Sequence, residues 1–395
     1  MQRSELVALL SPEGLALLDS LPAWNSTDDV VRMVSGLRAA GHAPALVSAV
    51  LSQSKLRSRA AAKFGPFAER MLFTSAGLEQ ATRLPVAAIH AGRFSRAGLH
   101  RVADLGCGIG GDAMAFAALD LDVLAADVDE VTAAVASYNL APFPDARVEQ
   151  AAAEDVDLGG IDGVWLDPAR RTPGHGQTER ITRPEDYSPS LAFAFDVGSR
   201  LPTGVKLGPG FDRSLIPEDA EAQWVSVDGD LVEMSLWFGN LARPGIRRSA
   251  LLVTDAGTVE LTAPADSVDE PVGAQGDYLY EPDGAVIRAR LIGEVARGID
   301  ARMLSDGIAY LTADEYRPTP FATGFRIIEE LPTDEKRLKA ALRARDVGVL
   351  EIKKRGVDVD PAALRRRLQP RGAASATIVM TRRAGRHVTL LVERM

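Results

Sequence analysis

Residues 102–112 read Val-Ala-Asp-Leu-Gly-Cys-Gly-Ile-Gly-Gly-Asp. An apolar run carries an acid, Asp104, two residues before a glycine-rich turn, and a helix-forming stretch follows. Arg101–Leu105 reads as a buried strand and Ala113–Leu119 as the opening of a helix. Gly106, Gly108 and Gly110 then occupy a strand-to-helix turn that needs backbone freedom and no Cβ, so a ligand can approach the main chain closely. The same letters satisfy G-x-G-x-x-G through Gly106, Gly108 and Gly111, the dinucleotide fingerprint. The turn by itself leaves two ligands open, S-adenosylmethionine (SAM) and a nicotinamide dinucleotide.

Outward from this turn the chain changes character. Upstream, residues 1–95 show helical spacing, as in Leu6, Leu9 and Leu10, then Leu15, Leu17 and Leu18, and later Val86, Ala87 and Ile89. Downstream, 101–105, 121–126, 147–151, 163–167 and 203–208 read as strands, with helices at 112–119, 130–140 and 188–200. That alternation predicts a doubly wound parallel sheet, which 231–238 and 249–254 would close as an antiparallel pair. Residues 264–284 read as a loop with a Pro-Asp-Gly turn at 282–284, followed by a helix at 288–297 and a strand at 308–311. From 325 the order is strand 325–329, helix 334–345, strand 347–353, helix 361–368, then strands 376–382 and 387–393. The expected fold class is therefore α/β: a Rossmann-like sheet (96–255), a helical N-terminal domain (1–95), a connecting segment (256–324) and a small α/β domain (325–395).

The 395 residues, 46% hydrophobic and 25% charged, suit a folded chain with several cores. Cys107 is the one cysteine, which excludes an internal disulfide and a zinc knuckle and leads us to expect no metal. The start, Met-Gln-Arg-Ser-Glu-Leu, has no basic segment followed by an apolar one, and nowhere do eighteen apolar residues run together. We expect a cytoplasmic protein with no membrane contact. The net charge of −9 hides an asymmetry: residues 331–395 hold 16 Lys/Arg against 7 Asp/Glu, whereas residues 1–330 hold 29 against 47. The basic segment coincides with the C-terminal α/β domain, where it is either a solvated surface or a nucleic-acid contact.

Candidate site residues fall at successive strand ends. Asp104 suits the amine of the methionine moiety of SAM. Asp127 ends the second strand, where a carboxylate can accept both ribose hydroxyls of either nucleoside ligand. Asp129 reads as a helix N-cap. Asp155, after the third strand, can accept from the adenine amino group, with Glu154 beside it as an ordinary exposed acid. The fourth strand, Gly163-Val164-Trp165-Leu166, runs into Asp167-Pro168-Ala169-Arg170-Arg171. There the Asp167 carboxylate and the Pro168 carbonyl can accept the two hydrogens of an exocyclic amine. Two acceptors favour a pyramidal nitrogen with its lone pair aimed at a sulfonium methyl, which is orientation and charge stabilisation rather than strong-base chemistry. The same strand end offers a hydride-transfer enzyme no catalytic group. Arg170, Arg171, His175, Arg180 and Arg183 form a basic stretch beside this position. Phe64, Phe67 and Phe73 read as a core stripe or the cover of a pocket.

Leu72-Phe73-Thr74, then Thr82 through His90-Ala91-Gly92-Arg93, then Val102–Ala117, then Asp127-Val128-Asp129 with Asn139, resemble the RNA cap guanine-N2 methyltransferase group, which includes trimethylguanosine synthase. The resemblance spans about residues 70–215 and implies that Thr82 and the glycine turn hold SAM and that Asp127 takes its ribose. It breaks at one place: the family's Ser/Asp-Pro-Pro-Trp is Asp167-Pro168-Ala169-Arg170 here, so the aromatic that stacks on the cap base is missing. Arg170 can stack its guanidinium on a base or, with Arg171, contact phosphate. The whole chain is closer to bacterial class I SAM methyltransferases with a THUMP-like C-terminal domain, which share Asp-Pro-Ala-Arg-Arg and the basic α/β tail. That likeness implies a methyltransferase acting on an exocyclic base nitrogen of RNA, with RNA held by the C-terminal domain. A small-molecule or protein acceptor, or a module that binds SAM and RNA without transfer, remains open.

Overall fold

The computed structural model describes residues 1–21, 27–170 and 187–395. Two compact units divide the chain. Unit 1 comprises Met1–Leu207, Phe211–Ala220 and Ser235–Arg243; unit 2 comprises Gly208–Gly210, Glu221–Met234 and Pro244–Met395.

Unit 1 begins with helices α1 (Arg3–Leu9), α2 (Pro12–Ser20), α3 (Thr27–Ala39), α4 (Pro44–Phe64), α5 (Ser75–Gln80) and α6 (Leu84–Arg96). Pro12, Pro44 and Pro85 each sit in a first helical turn, where the missing N–H costs nothing. α6 buries Val86, Ala87, His90, Ala91 and Phe94, the three-four spacing of one helix face. The sheet follows: β1 (Arg101–Leu105), α7 (Gly111–Ala117), β2 (Asp122–Asp127), α8 (Glu130–Leu140), β3 (Ala146–Gln150), β4 (Gly163–Leu166), the short β5 (Ala169–Arg170) and β6 (Tyr187–Ser188), α9 (Leu191–Arg200) and β7 (Thr203–Leu207). The order β7-β4-β1-β2-β3 is parallel throughout. The chain winds outward from β1 to β3 and returns on the other side of β1 as β4. The switch point is therefore between β1 and β4, where an open α/β sheet leaves a crevice at its strand ends.

One correction concerns the N-terminal domain. Residues 1–95 are helical as expected, but a single hydrophobic cluster runs from Leu6 on α1, through Leu46, Val50 and Phe64 on α4 and then Leu72 and Phe73, to Phe116, Trp165 and Trp237. The helices cover the sheet and share its core rather than enclosing their own.

Unit 2 opens with β8 (Glu221–Val227), β9 (Asp230–Phe238, whose last four residues belong to unit 1), β10 (Arg248–Thr254) and β11 (Gly257–Ala263), ordered β11-β10-β8-β9. The expected antiparallel pair of 231–238 with 249–254 does not form. β8 lies between them, with β10 parallel to β8 and antiparallel to β11. Hydrophobic periodicity misses this strand because its buried run, Glu-Ala-Gln-Trp-Val-Ser-Val, carries polar residues inward: Gln223 donates at 2.6 Å to Glu260, which also accepts from Ser249 of β10 at 2.5 Å.

A second sheet follows, built from β12 (Tyr278–Pro282), β13 (Arg302–Ser305), β14 (Ile308–Ala313), β15 (Ala322–Leu331), β16 (Val347–Lys354), β17 (Ala374–Arg383) and β18 (Arg386–Arg394), in the order β13-β14-β12-β15-β18-β17-β16. Helices α10 (Gly284–Arg288) and α11 (Ile292–Gly298) follow β12; α12 (Glu335–Ala344) and α13 (Pro361–Leu368) flank β16. Pro282-Asp283-Gly284 is not a free turn: Asp283 caps α10 by accepting from Ala285 N at 2.7 Å. Because β12 pairs with β15, strands β12, β13 and β14 are part of the C-terminal sheet, and the segment 256–324 is not merely a connection. α12 and α13 bury Leu338, Leu342, Leu364 and Leu368 against β16 and β17, each worth about 1.5–3 kcal/mol.

Candidate active site

The turn after β1 holds Gly106, Gly108 and Gly110 at φ of 83°, 56° and 84°, the left-handed region. Gly106 is needed twice over, since a Cβ there would meet the main-chain oxygen of Asp167 at 3.1 Å. Gly108 faces open space instead, with nothing within 4 Å of its missing Cβ. Asp127, half-buried at the end of β2, accepts from Gly108 N at 3.1 Å and from Asp129 N at 2.9 Å, so it braces the turn across the strand. Burial raises its carboxyl above the usual range, against the pull of those two N–H groups. Asp129 caps α8 through Thr132 N at 2.8 Å, as its spacing predicts.

Asp104 is 1% exposed, and neither carboxylate oxygen has a hydrogen-bond partner among the described residues. Burial, with the nearby carboxylates of Asp112 and Asp167, pushes its carboxyl well above the usual range, against the smaller opposing influences of Lys206 and the Ala113 N–H. A buried, unpartnered acid is expensive. Beside a turn stripped of side chains, it is the kind of group that a ligand satisfies.

The register assembles the rest. β4 pairs with β7 as Trp165↔Gly204 and Leu166↔Val205, so one further step sets Asp167 beside Lys206. Gly204 leaves room for the Trp165 ring, which packs on His90 at 4.3 Å and on Trp237 at 5.5 Å between centroids. Lys206 Nζ lies 2.6 Å from Asp167 Oδ2 and donates to Thr82 Oγ1 at 2.8 Å. Thr82 in turn donates to Asp112 Oδ2 at 2.6 Å, and His90 Nδ1 lies 2.9 Å from Asp112 Oδ1. Burial is the largest single influence on Asp112 and pushes it up, but the His90 bond, Lys206 and the Thr82 bond outweigh it and hold the carboxyl below its usual range. Two neighbouring buried acids are thus driven in opposite directions.

Asp104, the glycine turn, Asp127, Asp167 and Thr82 come together at the strand ends. Pro168 is buried beside Asp167. Asp155 stands exposed in the turn Ala153–Asp155, without a side-chain partner among the described residues. Arg170 pairs through its backbone with Tyr187 in the β5–β6 ribbon. Arg171, His175, Arg180 and Arg183 lie outside the described residues. Phe64 and Phe73 are core residues, while Phe67 is 55% exposed. Lys206 carries no sequence signal of its own; His90 and Asp112 stand within the quoted motifs but are given no role there, although a polar residue such as Asp112 inside an otherwise apolar helix is a recognisable anomaly. Among the described residues no cluster of His, Cys, Asp and Glu could hold a metal, and no helix is long and apolar enough to cross a membrane.

Residues 322–394 match the family described as THUMP domain-like, and residues 2–60 match a domain of unknown function. Two proteins of Mycobacterium tuberculosis, from strains CDC 1551 and H37Rv, both called uncharacterized S-adenosylmethionine-dependent methyltransferases, are 35% identical over 349 residues, 86% of this chain and 93% of theirs. The crystal structure of a candidate methyltransferase from Porphyromonas gingivalis W83 shares the fold with a TM-score of 0.70 at 19% identity, covering 94% of this chain and 99% of that one. A nicotinamide ligand has no support in these likenesses: the chain belongs to the S-adenosylmethionine-dependent methyltransferases.

Proposed function

We propose that this methyltransferase acts on an exocyclic base nitrogen of RNA, with Asp167 and Pro168 as its catalytic residues. The observation that carries the reading is the juxtaposition, at the β1–β4 switch point, of the buried, unpartnered Asp104, whose register partner is Trp165, with Asp167 two residues further on and packed beside Gly106. SAM supplies an electrophilic methyl on a sulfonium. Asp104 is assigned to the methionine amine, Gly106, Gly108 and Gly110 to the backbone wall, Asp127 to the ribose hydroxyls and Asp155 to the adenine amine. The fit is physical: a cation relieves the buried charge of Asp104, and the open face of Gly108 leaves space against the main chain. Thr82 belongs to the wall of this site through Asp112 and Lys206, since its hydroxyl already donates to one and accepts from the other.

For the acceptor, Asp167 and the Pro168 carbonyl take the two amine hydrogens and hold the nitrogen lone pair on the line of attack. The N–C bond forms as the sulfonium S–CH3 bond breaks, its electron pair returning to sulfur so that neutral S-adenosylhomocysteine leaves, and the amine proton then passes through the Asp167 carboxylate to water, so no strong base is needed beforehand. Arg170 and Arg171 are assigned to a base face or phosphate of the substrate. RNA as the acceptor is supported by the basic charge of 331–395 and by the THUMP domain-like match there. The missing aromatic after Pro168 argues against cap-specific recognition.

The test is single-turnover transfer from labelled SAM onto total RNA, with a metabolite extract and cell protein as competing acceptors. Asp167→Ala is expected to slow transfer by about a hundredfold or more, roughly 2.7 kcal/mol, with SAM affinity little changed. Label on metabolites or protein alone would replace RNA as substrate, and a wild-type rate in the variant would remove Asp167 from the chemistry.

A further inference from the structure

We propose that Lys206 is a positioning residue for Asp167, an inference that rests on Asp167 holding the acceptor amine. Lys206 sits on β7, its side chain only 10% exposed, and it faces the carboxylates of Asp167 and Asp112. Asp167 Oδ2 is at 2.6 Å and Asp112 Oδ2 at 4.0 Å. The contact with Asp112 passes instead through Thr82 Oγ1, which accepts from the ammonium at 2.8 Å and donates onward at 2.6 Å.

This arrangement fixes a rotation that the backbone leaves free. Asp167 follows the last residue of β4 and its side chain is 30% exposed, so the strand ladder constrains its Cα but not its carboxylate plane. An ammonium held from behind by a buried hydroxyl cannot follow that carboxylate outward. It therefore keeps the plane in one orientation, and the hydroxyl is itself anchored through Asp112 to His90 on α6. The chain His90–Asp112–Thr82–Lys206–Asp167 ties the reacting carboxylate to the covering helices. An ion pair serving only to neutralise Asp112 would bring Lys206 to that acid directly rather than set it 2.6 Å from Asp167 and 4.0 Å from Asp112.

Two substitutions test this. Lys206→Met fills the volume without charge or donors; Lys206→Arg keeps both but moves the charge. Single-turnover transfer onto total RNA is expected to fall about ten- to a hundredfold in Lys206→Met, with SAM affinity within about threefold of wild type and an intermediate rate in Lys206→Arg. In an Asp167→Ala background, Lys206→Met should cost less than about twofold more, because the group through which it acts is gone. An equal loss in both backgrounds would overturn the proposal. So would a rate loss matched by the loss of SAM binding, or wild-type transfer in both variants. If Lys206→Met does not fold, the Lys206→Arg rate in the two Asp167 backgrounds decides by the same criterion. A readout free of any acceptor separates this from a failure of the RNA reading: in crystals of SAM-bound wild type and variants, the Asp167 carboxylate should turn from its wild-type orientation when Lys206 is replaced by Met. An unchanged carboxylate would refute the positioning role even if RNA proves not to be the substrate.

Discussion

The glycine-turn site and the C-terminal module treat charge in opposite ways. Around the site Asp104, Asp112 and Lys206 are buried, with Asp167 partly covered. Between residues 322 and 394 every charged side chain reaches the surface, and only Thr381 and Thr389 are buried polar residues. The ion pairs there, such as Arg326–Glu393 and Arg345–Glu329, are exposed and contribute little to stability. Lys336, Arg337, Arg343 and Arg366 stand exposed on α12 and α13. Buried charge is costly and local, and it is kept where geometry at one atom matters. Exposed charge is nearly free and acts through space on a polyanion, screened by salt.

The sharpest way to break this contrast is at Asp127, the acid that both braces the turn and is assigned to the ribose. Asp127→Ala is expected to weaken SAM binding by about 1.5–3 kcal/mol, roughly ten- to a hundredfold, by calorimetry. Unaltered affinity would mean that the half-buried carboxylate serves the turn alone.

Asp104 sharpens it from the side of stability. Its carboxyl titrates well above the unfolded value of 3.8, so the native state holds this proton more tightly. The stability due to this group is then full in acid and declines as pH rises from the unfolded value towards the raised one. Asp104→Asn should therefore stabilise the ligand-free protein by about 1–2 kcal/mol near neutral pH, with the gain shrinking towards about pH 4. Thermal melts across that range check it, and a gain that grows in acid would reverse the assignment. The same variant should bind SAM more weakly, the trade between stability and function expected of an unpartnered site acid.

The smallest effects belong to the basic face. Truncation at 325 is a poor probe, because β15 pairs with β12 and its removal would open the sheet. Arg337→Ala, Arg343→Ala and Arg366→Ala together leave the buried leucines in place. They should lower RNA affinity modestly and flatten its log–log salt dependence by about 2–3 in slope, measured by anisotropy at several salt concentrations. An unchanged slope would move the RNA contact elsewhere.

Much of this was legible locally. β1, the helix of residues 130–140 and α13 have the bounds their patterns predict, since strand, cap and turn signals depend on neighbours in sequence. Asp104, the three glycines and Asp127 stood out because a strand end followed by bare backbone has few other uses. Where polar residues face inward, as in β8, the pattern failed, because periodicity reads hydrophobicity and not burial.

By itself, then, the amino-acid order determined the parallel sheet, its glycine turn, the acids at its strand ends and the charge reversal near the C-terminus. Each is a property of a short segment or of composition. Tertiary structure alone decided that Lys206 meets Asp167, that Asp112 links Thr82 to His90, that the N-terminal helices share the sheet's core, and that β12 joins the C-terminal sheet. Those depend on strand register and helix packing between residues far apart in the chain, and no local periodicity encodes which distant partner a side chain will face.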